Sequence, residues 1–240
     1  MSEQLESPPN PEIHHQHRDV SGGWLRPTVF GMMDGLVSNF ALILGFAGGH
    51  ASTKTVVLAG MSGLAAGAFS MATGEYISVQ SQNESTHAEV QVERRELAVN
   101  ADAELAELVQ SYVDRGVDRE VAETFARQIT RDPTQALIVH AQEELGVDPT
   151  QLPSPLLAAV SSFFSFCVGA ILPVLPYLLG AESALASTVV AALTLFLAGV
   201  LASRFTDRPW WFSGVRQLAF GMLAAWVTYG VGAAFHVSSG

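Results

Sequence analysis

Five apolar runs, at roughly 27–49, 55–80, 155–179, 184–203 and 214–235, constrain this chain more than anything else in it. About 20 apolar residues in a helix cross the ~30 Å of hydrocarbon in a bilayer, and each run supplies roughly that number. Lipid offers no hydrogen bonds, so a spanning segment must satisfy its backbone internally, which a helix does. The expected fold class is all-α: a polytopic membrane protein with five transmembrane helices and a three-helix cytosolic insert between helices 2 and 3. By this reading residues 1–23 are a mobile tail, 24–80 hold helices 1 and 2, 81–150 form the insert, and 151–240 hold helices 3 to 5. Pro173 and Pro176 fall in the third run and predict a kink or an early end there.

Charge divides the chain in the same way. Only 15% of residues are charged, against about 25% in an ordinary soluble domain. Residues 81–150 carry 15 Asp/Glu against 6 Arg, a net of −9 out of −11 for the whole chain. The remainder is close to neutral, as a membrane part should be. An acidic chain has no surface for nucleic-acid phosphates. The single cysteine, Cys167, excludes an intramolecular disulfide. The first 24 residues are polar and lack the apolar stretch of a signal peptide. No nucleophile–base pair, phosphate-binding glycine loop, Cys-x-x-Cys pair or paired Glu-x-x-His helices are present, so neither an enzyme nor a resident prosthetic group is expected.

Orientation follows from the basic residues. Arg18, Arg26, the six insert arginines, Arg204, Arg208 and Arg216 fall on one side, and Lys54 alone on the other. The positive-inside rule then places the N-terminus and insert in the cytosol and the C-terminus outside. An arginine- and alanine-rich composition points to a bacterial inner membrane.

Within the insert, residues 82–112 predict one long water-exposed helix and 121–130 a short amphipathic one. Gly116 separates them, and Asp118 is placed to cap the second. Asp132 and Pro133 open a third helix that ends near Gly146, as N-cap and first residue.

A carboxylate at the bilayer centre costs at least ~2.5–3.5 kcal/mol, so one that persists there is a functional candidate. Asp34 lies about two turns into the first run, and Glu75 about one turn from the cytosolic end of the second. Met71 precedes Glu75 by four residues and shares its helix face. Carboxylate oxygen beside thioether sulfur suits first-row ions such as Fe²⁺ better than Mg²⁺ or Ca²⁺. A desolvated carboxylate can also trade a metal ion for a proton. The structural alternative makes Glu75 interfacial, bonds Asp34 to a neighbouring helix, and leaves the methionines as core. Gly31, Gly35 and Ser38, with Gly60, Gly63, Gly67, Ser70 and Gly74, give each helix a small-residue side, fit for packing within the chain or for a dimer seam.

In the insert, Glu93, Glu96, Glu104 and Glu107 would share one stripe of an unbroken helix, because eleven residues leave only ~20° of drift. None has Lys or Arg four residues later. His140, Glu143 and Glu144 add an imidazole and two carboxylates on the third helix. The set is either a divalent-metal site or a solvated acidic face. His14, His15 and His17 sit in the polar tail, where a disordered segment is the plainer reading.

Three stretches resemble the vacuolar iron transporter family in its bacterial form. They are Phe30-Gly31-Met32-Met33-Asp34-Gly35-Leu36-Val37-Ser38-Asn39, then Ser70-Met71-Ala72-Thr73-Gly74-Glu75-Tyr76-Ile77-Ser78-Val79, and Glu93-Arg94-Arg95-Glu96 with Glu104-Leu105-Ala106-Glu107. The resemblance implies a homodimer of five-span protomers in the lipid bilayer, with the ion path between subunits. It implies Fe²⁺ leaving the cytosol against protons, with Asp34 and Met71 on the path. It further implies an insert that binds metal through Glu93, Glu96, Glu104, Glu107 and Glu144. Better-known eukaryotic members place methionines just before that last glutamate, where this chain has Val139 and His140. Imidazole in place of thioether widens the expected cargo to Zn²⁺, Co²⁺ or Ni²⁺, with Mn²⁺ also among the ions considered. The expected function is a proton-coupled Fe²⁺ exporter, and its rival is a membrane-anchored metal sensor or store.

Overall fold

The computed structural model describes residues 23–204 and 208–235. Expectations for the tail, including His14, His15, His17 and Arg18, lie outside these residues. Among the described residues the regular elements are all helices: α1 (Leu25–Gly48), α2 (Thr53–Val99), α3 (Ala101–Asp114), α4 (Arg119–Ile129), α5 (Pro133–Glu144), α6 (Pro155–Ile171), α7 (Leu175–Leu178), α8 (Ala184–Ser203) and α9 (Trp210–Phe235). Four of them, α1, α2, α8 and α9, are long and apolar enough to cross a membrane, and α6 is an apolar helix of 17 residues.

Proline shortens α6. Pro173 has no N–H to give the carbonyl four residues back. The N–H of Val174 turns to Ile171 O at 3.0 Å, and the chain resumes as the single turn α7. Two carbonyls of this break find side-chain donors: Ser187 Oγ donates to Pro173 O at 2.6 Å, and Asn39 Nδ2 donates to Ala170 O at 2.6 Å. Unpaired carbonyls would cost several kcal/mol each in hydrocarbon.

The centre of the bundle is α1, packed against α6, α9, α2 and α8. Leu36 and Phe40 are fully buried with Ala191, Leu195 and Ala225 from α8 and α9. Toward α6 the contact is backbone on backbone. A Cβ at Gly35 would collide with Phe166 O and stand 3.0 Å from Ala170 N, while one at Gly169 would collide with Met32 O.

The helix α2 corrects one expectation. It runs unbroken through residue 80 to Val99, 47 residues in all, or about 70 Å at 1.5 Å per residue. The predicted long helix over 82–112 does not exist. Asn100 leaves the helical region at φ −120° and ψ 34°, caps α2 through its N–H to Glu96 O, and accepts the first bonds of α3 from Ala103 and Glu104. Its side-chain amide also donates to Glu96 Oε2 at 2.6 Å. Past this break, α3 packs on α4 through Leu108, Val109, Ala122 and Ala126, and α5 packs on α2 through Val90, Leu137 and Ala141. The expected caps are present: Asp118 accepts from Glu120 N, and Asp132 from Thr134 N and Gln135 N. Asn83 Nδ2 donates to Pro153 O at 2.9 Å, tying α2 to the segment that leads into α6.

Gly35→Val should cost at least ~2 kcal/mol by forcing α1 from α6, seen as a lower thermal midpoint in detergent. Gly230, with nothing within 4 Å of its would-be Cβ, should accept alanine with a change of no more than ~1 kcal/mol, toward stability.

Candidate metal centres

Two places gather the chemistry. The first is a cavity of about 340 Å³ between α1 and α2, floored by Phe166 of α6. Asp34, Ser38 and Asn39 line it from α1, and Gly63 and Met71 from α2. Asp34 is exposed on this wall and Met71 half-buried. The antiparallel α1–α2 pair, reversed over 49–52 with Ser52 capping α2 through Thr55 N at 3.3 Å, is what brings these distant residues to one depth. Gly67 gives Phe166 its room, because a Cβ there would enter the ring. Glu75, one turn beyond Met71 and half-buried, does not line this cavity.

The second gathering lies where α2, α3 and α5 meet. Glu93, Glu104, His140 and Glu144 offer ligand atoms that all fall within 4.8 Å of one another. His140 Nδ1 is 3.1 Å from Glu93 Oε1, 3.2 Å from Glu144 Oε1 and 3.6 Å from Glu104 Oε2. The imidazole is 1% exposed, and Glu93 and Glu104 are 8% exposed each. An ion held at ~2.1 Å bonds keeps its ligand atoms about 3.4 Å apart in a tetrahedral set and about 4.2 Å apart where they stand opposite, so the widest pair would close by roughly half an ångström or more around one.

The charges there are unbalanced. An imidazole carries at most one positive charge and faces three carboxylates. Burial, then the Glu144 carboxylate, pushes Glu93 up from 4.5 to about 7, against the opposing pull of His140. Glu104 is raised too, first by burial and then by Glu144. A divalent cation held among these groups would remove this repulsion.

Three expected ligands stand elsewhere. The single-stripe geometry fails because the helix ends at Asn100; Glu93 and Glu104 meet through the turn instead. Glu96 is held by the Asn100 amide, and Glu107 is exposed. Glu143 makes an ion pair with Arg115 and accepts from the Tyr112 hydroxyl at 3.0 Å, fastening α5 to the end of α3. Glu96 and Glu107 still add to the negative field felt by Glu104.

Sequence reasoning passed over Asn39. Its side chain is 2% exposed, yet Oδ1 has no hydrogen-bond partner. An amide in the middle of an apolar run was the available signal.

The sequence model of the VIT family matches residues 25–233. The chain belongs to the VIT family. The curated "Vacuolar iron transporter" of Acanthamoeba castellanii is 36% identical over 225 residues, covering 90% of this chain and 81% of that protein. "Vacuolar iron transporter 2" of Oryza sativa subsp. japonica is 30% identical over 221 residues, covering 91% and 90%. The "Vacuolar iron transporter" of Toxoplasma gondii is 31% identical over 229 residues, covering 90% and 76%.

The raised Glu93 gives a pH test on this VIT-family chain. A carboxyl whose folded value exceeds its unfolded one stabilises fully below the unfolded value and loses that contribution as pH rises through the folded one. Without metal, the thermal midpoint should therefore fall as pH rises from about 4.5 to about 7, most steeply between those values, and level off above them. Glu93→Gln should flatten the fall, and Fe²⁺ should restore more stability at pH 8 than at pH 5 because it no longer displaces a proton.

Proposed function

We propose that this VIT-family protein exports Fe²⁺, and also Mn²⁺, Co²⁺, Ni²⁺ or Zn²⁺, from the cytosol in exchange for protons. The observation that carries this reading is the cavity itself: a carboxylate and a thioether from two apolar helices face one space. Asp34 supplies charge and a proton site, and Met71 supplies a soft ligand that disfavours Mg²⁺ and Ca²⁺. Glu75 lies on the same helix toward the insert and would receive the ion on its way in.

In this reading the segment from Pro155 through α7 is the third of five spans, and the insert faces the cytosol with the arginines. Asp34, Ser38 and Ser70 are exposed on the surface of a single chain. Polar groups against lipid are costly, so a second copy is proposed to cover the cavity and complete a homodimer with the path between subunits. The cluster of Glu93, Glu104, His140 and Glu144 acts as the capture site. From Met71 to Glu93 the helix rises 22 residues, or about 33 Å, too far for one ion to touch both sites. The insert therefore raises the local ion concentration, with Glu96, Glu107 and Glu143 contributing field, and the ion is released to diffuse to the membrane cavity.

In proteoliposomes, Asp34→Ala should reduce Fe²⁺ uptake to background while leaving Fe²⁺ binding by the insert unchanged. Glu104→Gln should do the reverse, raising the half-saturating Fe²⁺ concentration about tenfold at near-normal maximal flux. A membrane-anchored sensor or store would show metal binding with no flux and would be indifferent to Asp34→Ala.

A further inference from the structure

Asn39 has a buried polar atom that the fold leaves unused. Its Nδ2 donates to Ala170 O at 2.6 Å. That carbonyl is free because the proline break turns the N–H of Val174 to Ile171. A carbonyl accepts only from a donor, so the nitrogen must be the end that faces Ala170, and this fixes the amide's orientation. Oδ1 is then a buried, unpartnered atom facing Gly63 of α2, and both residues belong to the cavity wall with Asp34 and Met71. A Cβ added at Gly63 would meet the Leu42 Cδ2 methyl at 2.6 Å and sit 3.0 Å from this oxygen, so the room beside both depends on residue 63 being glycine.

An unpaired amide oxygen in a 2%-exposed side chain is costly unless something occupies it. If α6 needed only a cap, a serine or threonine hydroxyl would supply it, as Ser187 does for Pro173. The amide differs from a hydroxyl in carrying a second, neutral acceptor at the cavity wall, at no cost in net charge.

We propose that Asn39 Oδ1 is a direct ligand of the divalent ion as it passes Asp34 and Met71, and that it sets the metal preference of the membrane site. The inference rests on the transport reading above. A carboxylate and a thioether alone favour softer ions. Adding a carbonyl-type oxygen shifts the set toward the harder end of the first row, Mn²⁺ and Fe²⁺, and away from Zn²⁺. Its neutrality also matters, because a second carboxylate would hold a divalent ion too tightly to release.

The test is Fe²⁺ flux into proteoliposomes, with Mn²⁺ or Zn²⁺ as competitor, for wild type, Asp34→Ala, Asn39→Ala and Gly63→Ala. Gly63→Ala crowds Oδ1, with the Leu42 methyl swinging aside, while leaving the bond to Ala170 in place. Both Asn39→Ala and Gly63→Ala should weaken Mn²⁺ competition relative to Zn²⁺ by about tenfold. If Asn39→Ala loses flux altogether through loss of the α6 cap, the Gly63→Ala ratio decides. An unchanged Mn²⁺-to-Zn²⁺ ratio in Gly63→Ala, or an equal loss for both metals, overturns the ligand role and leaves Asn39 as a cap. Wild-type flux that Asp34→Ala does not reduce would overturn the transport reading, and this inference with it.

Discussion

The approach of α1 to α6, backbone against backbone at Gly35 and Gly169, sets the position of nearly everything else. It holds α1 at the centre of the bundle, with Leu36 and Phe40 turned toward α8 and α9. The opposite wall of α1, carrying Asp34, Ser38 and Asn39, is thereby presented to α2. The same approach puts the broken end of α6 within reach of Asn39 and places the Phe166 ring beneath the cavity. Small residues create this arrangement because helices in lipid associate by close packing rather than by any hydrophobic gain.

Electrostatics supplies the rest. Carboxylate stands in two places where water's screening is weak. In the membrane, Asp34 stands among apolar helices. In the insert, three carboxylates face one imidazole on residues that are largely buried. Both arrangements cost stability when no cation is present, and both gain from a proton or a divalent ion. One continuous helix joins them, with Met71 and Glu93 ~33 Å apart along it. In the proposed transport reading, the two sites would therefore act one after the other rather than sharing ligands.

Much of this was legible in the sequence, for physical reasons that differ by element. Long apolar runs read directly as helices because lipid permits little else. Pro173 announced the end of α6, and Asp132-Pro133 the start of α5. Asp34 stood out because a carboxylate in an apolar run is expensive, and Met71 because its thioether shares a helix face with Glu75. The turn at Asn100 was missed because the flanking residues are strong helix formers, so propensity outweighed one asparagine. That error misplaced the geometry of the glutamates: angular bookkeeping on an unbroken helix cannot anticipate two helices folding toward each other. The diversion of Glu143 to Arg115 and Tyr112 depends on α3 meeting α5, a tertiary contact with no local signature. Asn39 was visible as an odd amide, but its free oxygen follows only from the bond its nitrogen makes.

The most direct measurement is Fe²⁺ accumulation in wild-type proteoliposomes under an imposed pH gradient, with metal and internal pH read together. With an acidic interior, the account predicts that Fe²⁺ accumulates above its external concentration while protons leave, and that collapsing the gradient stops accumulation. Metal that only binds in proportion to the amount of protein, with the same extent whether or not a gradient is present, would contradict it.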